Sequence, residues 1–248
     1  MDLNLKGRVA FITGGGAGIG EAITRVLAAE GCMVCVADRD GAAAGRVASD
    51  IMGAGLAARP VVVDVAETAA VDAAVAGVGP IDILVNAAGL LSTGHVADLP
   101  AGEFNRVARV NIDGIINCVK AAIPAMAAAR RGRIVNIASV SAMRGGGSVG
   151  NTLYGASKAA VVALTMGLAR ELGPSNITVN AVAPAILDTA MTHTVLTADA
   201  RQKILPRIPL GRLATTLDVA DLVAFLASDR AGFITGTVIP VDGGILTT

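Results

Sequence analysis

Tryptophan is absent from this chain of 248 residues, tyrosine occurs once and phenylalanine four times. So few aromatics leave no stacking platform for a planar substrate. An excess of either charge is missing too. Lys+Arg and Asp+Glu number 20 each, so no global field draws the chain to nucleic acid. Charged residues make up only 16% against 53% hydrophobic, a balance that excludes a disordered chain. No apolar run of about 18 residues proceeds without a charge, glycine, proline or asparagine, so no membrane span is expected. The start, MDLNLKGRVAFIT, lacks a basic segment followed by an apolar one and a small-residue cleavage site. No secretory leader is expected there, and the expected location is the cytoplasm. Three cysteines fit no disulfide framework. Cys32 and Cys35 form a lone CxxC inside the strand-like CMVCVAD with no metal-ligating partners nearby, and read as buried small hydrophobes.

What the chain does have is regular alternation. VAFIT (9–13), MVCVA (33–37), PVVV (60–63), IDILV (81–85), RIVNIA (133–138) and ITVNAV (177–182) read as buried strands, with TVIPV (237–241) as a seventh. Between them 19–30, 42–52, 67–76, 103–129, 155–172 and 216–227 have helical composition and length. Parallel neighbours need a crossover and crossovers are right-handed, so this order predicts a doubly wound α/β sheet of about seven parallel strands, with helices on both faces. No repeat or linker divides residues 1–248, which predicts a single domain.

Directly after the first strand comes TGGGAGIG (13–20), followed by a helix. Gly14, Gly18 and Gly20, with Ile19 between the last two, allow a tight turn and close approach to a pyrophosphate seated on the helix N-terminus. Asp38 ends the second strand, where a carboxylate accepts hydrogen bonds from ribose hydroxyls and repels a 2′-phosphate; this favours NAD over NADP. Arg39 beside it pulls the other way, since an arginine can pair with that phosphate.

The one tyrosine, Tyr154, lies four residues before Lys158 in YGASK, and on a helix the two share a face. A free phenol has a pKa of about 10, so only on the order of a thousandth is ionised at neutral pH. A cation within about 4 to 6 Å lowers such a pKa toward the range a general acid or base needs. Asn111 in RVARVNIDG and Ser139 in IVNIASVSA fall where strand ends and helices of such a sheet converge.

From TGGGAGIG through NAAG (86–89), Asn111, Ser139 and YGASK to FITGTVIPVDGG, the chain resembles the short-chain dehydrogenase/reductases of about 250 residues, with a Rossmann-like fold. The resemblance implies Tyr154 as general acid/base and Lys158 as the group that lowers its pKa and holds the nicotinamide ribose. It implies Ser139 on the substrate oxygen and Asn111 in a water chain from the lysine. Asp64 and Val65 would flank the adenine, Asn86 would lie beside the adenosine ribose, and Leu187 and Thr189 would meet the carboxamide. Ala185 stands where the family usually has glycine, and the long interval from Ser139 to Tyr154 makes Ser141 a rival for the serine role.

The activity so implied is hydride transfer between NAD and a small secondary alcohol, polyol or hydroxy acid. The alternatives are a 3-oxoacyl-carrier-protein reductase, docking its acidic carrier through Arg130 and Arg131, and a non-catalytic NAD sensor or scaffold. A halohydrin-dehalogenase-like lyase would lack the glycine loop and Lys158. Pocket walls are expected at 89–98, at 141–153 with a mobile Gly145–Gly147 run, and in a substrate lid at about 189–209. Arg144, His95 and His193 are candidates to meet a polar or anionic substrate. Helices 103–129 and 155–172 are apolar around much of their circumference, which with the resemblance implies a homotetramer.

Overall fold

The computed structural model describes residues 2–147, 149–193 and 195–247. Seven strands form one all-parallel sheet: β1 Val9–Thr13, β2 Met33–Asp38, β3 Ala58–Val62, β4 Ile83–Asn86, β5 Gly132–Ile137, β6 Ile177–Pro184 and β7 Val238–Val241. Their order is β3-β2-β1-β4-β5-β6-β7. The chain therefore starts mid-sheet, winds outward to β3, and returns to place β4 against β1 before winding out the other way. Between β1 and β4 the connections diverge, and this topological switch opens a crevice at the carboxyl ends of the strands.

Successive residues of one strand feed opposite cores, which is why these strands read as unbroken apolar runs. Ile12, Val34, Val36, Ile83 and Val85 pack on one face under helices α1 (Gly18–Ala29), α2 (Gly41–Gly53) and α9 (Thr216–Ala227). Phe11, Cys35, Leu84 and Ile134 pack on the other under α3 (Thr68–Val78), α5 (Gly114–Ala128) and α7 (Thr152–Leu172). Cys32, Cys35 and Cys118 are free and buried, and burial pushes the Cys35 thiol up to about 11, so none is poised for chemistry.

The expected helix over 103–129 is interrupted. It begins as α4 (Glu103–Ala108), widens into a π-helical turn over Arg109–Asp113 and continues as α5. Asn111 sits in that widened turn, fully buried, with its side chain on the Leu90 backbone and Ser157. Strand bounds move by one to two residues: β3 starts at Ala58 rather than 60, and β4 runs Ile83–Asn86 rather than 81–85. Two short helices escape the sequence reading, α6 (Ser141–Arg144) and α8 (Ala198–Ile204), both in segments expected as pocket loops. Gly146 and Gly147 of the Gly145–Gly147 run line a recess beside Tyr154, as expected of a pocket wall. A Cβ on Gly155 of α7 would stand 2.3 Å from the Gly146 nitrogen, so the start of the run lies backbone to backbone on the helix.

Candidate active site

The crevice has an internal volume of about 290 Å³ and runs from the glycine loop and Asp38 to Ser139, Tyr154 and Lys158. Its first end is an anion cradle. Gly14 and Gly18 have φ of +66° and +55°, and a Cβ on Gly14 would lie 2.9 Å from the Ala88 backbone, so the loop lies flat against the β4 end. Asp40, Asn151 and Thr215 cap α2, α7 and α9 with side-chain oxygens, whereas Ala17 offers α1 none. The first N–H groups of α1 are thus left for a ligand, and together with the helix dipole they suit a pyrophosphate.

Thr13, which the sequence reading passed over, ties the two sides of the switch together. Its Oγ1 accepts from the Ala87 and Ala88 N–H groups, each at 3.1 Å. The signal was its place as the last strand residue before the glycines. Arg46 braces the loop from outside, donating to the Gly16 carbonyl at 2.9 Å and pairing with Glu21 at 2.8 Å. That arginine, more than Arg25, holds the Glu21 carboxyl below its usual range.

Asp38 lines the crevice with both carboxylate oxygens held in place, one accepting from Gly16 N–H and the other from Asp40 N–H, each at 3.0 Å. Arg39 is exposed beside it. Asp64, Val65, Leu187, Thr189 and Ile19 line the same crevice. Thr189 sits 3.9 Å from where a Gly18 Cβ would stand, so the segment after β6 folds over the glycine loop. Asn86 differs from the expectation: its side chain is outside the crevice, 3% exposed, donating to Asn136 Oδ1 at 2.8 Å across the β4–β5 seam. Asn136 passes the chain on to Thr165 Oγ1 at 2.9 Å, so the pair fixes α7 to the sheet.

At the other end of the crevice the first turn of α7 carries Tyr154, and the Asn151 side chain caps that turn by accepting from Tyr154 N–H at 3.0 Å. Asn151 also donates to Ser92 Oγ at 2.9 Å, which ties the 89–98 loop to the catalytic turn. The pattern N-x-x-Y, a capping residue three before the tyrosine, was the signal missed. Replacing Asn151 by alanine is expected to lower stability by about 1 kcal/mol and turnover by roughly tenfold as Tyr154 drifts. Thermal unfolding and kcat check this; unaltered kcat would show that Tyr154 is held without the cap.

Ser139, just past the β5 end, lines the crevice together with Tyr154 and Lys158, and its Oγ accepts from Ser141 N–H at 3.1 Å. Ser141 supports Ser139 through its backbone and is not among the residues lining that crevice, so of the two it is Ser139 that shares it with the tyrosine. The Lys158 ammonium lies 5.9 Å from the Tyr154 ring centroid and donates to the Ile137 carbonyl at 2.7 Å. The Asn111 amide is fully engaged: Oδ1 accepts from Leu90 N–H at 2.7 Å, and Nδ2 donates to Leu90 O and Ser157 Oγ, each at 3.0 Å. It holds the loop after β4 rather than presenting a free amide to solvent.

The expected pKa effect runs the other way in the ligand-free protein. Burial pushes the Tyr154 phenol up, partly offset by the Ser139 hydrogen bond, and pushes the Lys158 ammonium down to about 8. Desolvation disfavours both charged forms, and at this distance the cation does not overcome it. The stability consequence follows from linkage. Lys158 titrates near 8 when folded against an ordinary 10.5, so in that window the unfolded chain binds more protons. The stability of the ligand-free protein relative to Lys158→Met is expected to rise with pH across that window, with the penalty of the buried cation fully present below pH 8. Urea midpoints for the two proteins read the difference; a constant difference would contradict it.

Arg130 and Arg131 do not border this crevice within the chain. They precede β5 at the opposite end of the sheet, where Arg131 pairs with Asp82 at 2.5 Å and Arg130 donates to the Pro174 carbonyl at 3.1 Å. No group of three or more His, Cys, Asp or Glu able to hold a metal occurs among the described residues. Two helical stretches, Glu103–Ala128 and Thr152–Ser175, are long and apolar enough to cross a membrane by length and composition, and both pack on the sheet.

Comparison with known proteins agrees with this geometry. A family model described as enoyl-(acyl carrier protein) reductase matches residues 14–246. A short-chain type dehydrogenase/reductase of Sinorhizobium fredii is 39% identical over 98% of both chains. The meso-2,3-butanediol dehydrogenase of Serratia marcescens is 40% identical over 98% of this chain and 96% of that one. The 3-oxoacyl-[acyl-carrier-protein] reductase of Escherichia coli is 37% identical over 98% and 99%. Among solved structures, a gluconate 5-dehydrogenase from Burkholderia cenocepacia in complex with NADP and tartrate superposes with a TM-score of 0.94, at 34% identity over 100% of this chain and 98% of that one. A 3-ketoacyl-(acyl-carrier-protein) reductase from Brucella melitensis complexed with NADH gives 0.90, at 37% identity over 98% and 99%. Glycine loop, parallel sheet, Ser139, Tyr154 and Lys158 thus occur in a chain that matches these oxidoreductases from end to end: it belongs to the short-chain dehydrogenase/reductase family.

Proposed function

We propose that the chain is an NAD-linked dehydrogenase interconverting a small secondary alcohol and its ketone. The observation that carries the reading is the meeting of Tyr154, Ser139 and Lys158 at one end of a crevice whose other end is an uncapped helix N-terminus beside Asp38. Gly14, Gly18, Ile19, Gly20, Asp38, Asp64, Val65, Leu187 and Thr189 would hold the dinucleotide; the Asn86 side chain supports the seam instead. Bound nicotinamide supplies the acceptor or donor of hydride. Ser139 holds the substrate oxygen, and Tyr154 takes the hydroxyl proton in oxidation and returns it in reduction. Lys158, cationic at neutral pH, offsets charge developing on the phenolate. Asn111 positions the Leu90 backbone against the crevice rather than touching the reacting atoms.

The fixed carboxylate of Asp38 favours ribose hydroxyls over a 2′-phosphate, despite the exposed Arg39. The protein is expected to use NAD at least about tenfold better than NADP by kcat/KM, and Asp38→Ser is expected to erase that preference. A preference for NADP in the unaltered protein would overturn the cofactor assignment.

A 3-oxoacyl-carrier-protein reductase is the second reading, because a relative so named matches along nearly the whole chain. It needs a docking surface other than Arg130 and Arg131 on the same subunit. A non-catalytic sensor is disfavoured by the retention of both Tyr154 and Lys158. We further propose a cytoplasmic homotetramer, supported by the exposed Met166 on α7 and the fully exposed Phe233 before β7, both apolar. Light scattering of the purified protein tests it.

A further inference from the structure

We propose that Ser141 is a substrate-binding residue whose hydroxyl holds a second oxygen of the substrate. The substrates of this chain are then small alcohols with another hydroxyl or keto oxygen one or two carbons from the reacting one. This rests on the dehydrogenase reading and narrows it. A second recess, of about 80 Å³, shares Ser139, Tyr154, Ala185, Met191 and Thr192 with the main crevice and extends from them away from the glycine loop. Ser141 lines this recess and not the crevice. A substrate oxygen held between Ser139 and Tyr154 therefore has its carbon substituent beside Ser141.

The other polar side chains of the recess are already engaged. Thr192 Oγ1 donates to the Leu187 carbonyl at 2.5 Å and accepts from Thr189 N–H at 3.0 Å. Arg144 donates to the Ile245 carbonyl at 3.2 Å, and Arg207 has a partner of its own. Ser139 and Tyr154 are taken by the reacting oxygen. Ser141, 8% exposed, bonds through its backbone alone: its N–H donates to Ser139 Oγ at 3.1 Å, and its carbonyl accepts from Gly146 N–H at 3.0 Å. Among the described residues its Oγ has no hydrogen-bond partner, although a hydroxyl offers one donor and two acceptor sites. The unpartnered side-chain atoms sealed from solvent are Asn86 Oδ1 and Thr178 Oγ1, so the Ser141 oxygen is reachable from the recess. Polar groups so deeply placed are as a rule hydrogen-bonded, and here the partner must come from a ligand. A Cβ on Gly147 would lie 3.7 Å from that oxygen, so the hydroxyl faces Gly147, which also lines the recess. With no side chain at 147 the approach stays open. The Ser141 Oγ lies within about 4 Å of its own nitrogen by bond lengths, so the two serine hydroxyls are at most about 7 Å apart. Substrate oxygens on adjacent or next-nearest carbons, each in a hydrogen bond of about 2.8 Å, span that gap. At roughly 10–15 Å³ for each water-sized group, the recess takes on the order of five to eight such groups. A steroid or long acyl chain exceeds that limit.

The test separates this assignment from the dehydrogenase reading by using binding as well as turnover. The probes are 2,3-butanediol, 1,3-butanediol and 2-butanol, which share one carbon chain and carry no charge, so that only the second oxygen distinguishes them. Calorimetric titration of each is made in excess NADH, which cannot accept a hydride, and initial rates are measured with NAD. At least one diol is expected to bind about three- to tenfold more tightly than 2-butanol, the effect of one neutral hydrogen bond, and to keep that advantage in kcat/KM. Ser141→Ala should bring the ratio of that diol to 2-butanol close to one, raising KM for the diol more than it lowers kcat. A merely structural role would weaken both alcohols together and leave the ratio as it was. Gly147→Ala keeps the hydroxyl but sets a methyl against it, at a position whose φ lies outside the left-handed region, and should lose the same preference. Thermal unfolding identifies a variant that fails to fold, and either substitution alone carries the test. Preference for a diol in binding that depends on Ser141, with no alcohol ever oxidised, would leave the assignment standing and defeat the dehydrogenase reading. Oxidation of all three at ratios that neither substitution alters would do the reverse. Binding of none of the three would overturn the assignment.

Discussion

Replacing Tyr154 by phenylalanine lowers kcat by about 10²- to 10⁴-fold while NAD affinity stays near that of the unaltered protein. The substitution removes only the hydroxyl that would exchange a proton with substrate, and the ring keeps its place. That ring is wedged under Gly150, where a Cβ would come within 2.3 Å of it, and its turn stays capped by Asn151. The crevice end that would hold the dinucleotide phosphates is formed by a different loop, on β1 and α1. Initial-rate kinetics and fluorescence titration of NAD read the two quantities separately. Turnover that persists would remove Tyr154 from the chemistry, and lost NAD affinity would show that the residue serves the cofactor site instead.

The second large effect is at Gly20. A methyl group there would stand 2.0 Å from the Gly14 carbonyl oxygen and 2.7 Å from its carbon, both backbone atoms that cannot rotate away. Gly20→Ala must therefore push the first turn of α1 off the loop that it faces. Such overpacking costs about 1–3 kcal/mol, a fall in Tm of roughly 2–12 °C. The larger consequence is functional. The free N–H groups of α1 lose their aim, and kcat/KM for NAD is expected to fall about a hundredfold. Calorimetry and kinetics with NAD varied check both; an unaffected kcat/KM would mean that the α1 terminus is not where the cofactor binds.

The parts of the fold legible in sequence were those set by periodicity and composition. All seven strands were found because a parallel sheet covered on both faces needs uninterrupted apolar runs such as VAFIT and MVCVA. The glycine loop and the Tyr154–Lys158 spacing were legible because each depends on a fixed local geometry. What remained hidden depends on packing between distant segments. The widened turn at Asn111 is invisible in a helical pattern, since the residues around it favour a helix whichever hydrogen-bond step they adopt. The direction of the Asn86 side chain is set by Asn136, fifty residues away, and no local signal announces it. The close approach of Gly146 to Gly155 is a contact between the loop and α7 that the glycine run alone does not announce. The pKa argument for Tyr154 and Lys158 was correct about spacing and incomplete about burial, which only the packed structure reveals.

The most direct test of the central claim follows a labelled hydride. The protein is incubated with NAD and a secondary alcohol carrying deuterium on the carbinol carbon, 3-hydroxybutyrate first and 2,3-butanediol second, and the reduced nucleotide is analysed by mass spectrometry. The expected result is one deuterium in the nucleotide for each ketone formed, in the protein with Tyr154 and not in Tyr154→Phe. Ketone formed without label in the nucleotide, or equal transfer in both proteins, would contradict the account.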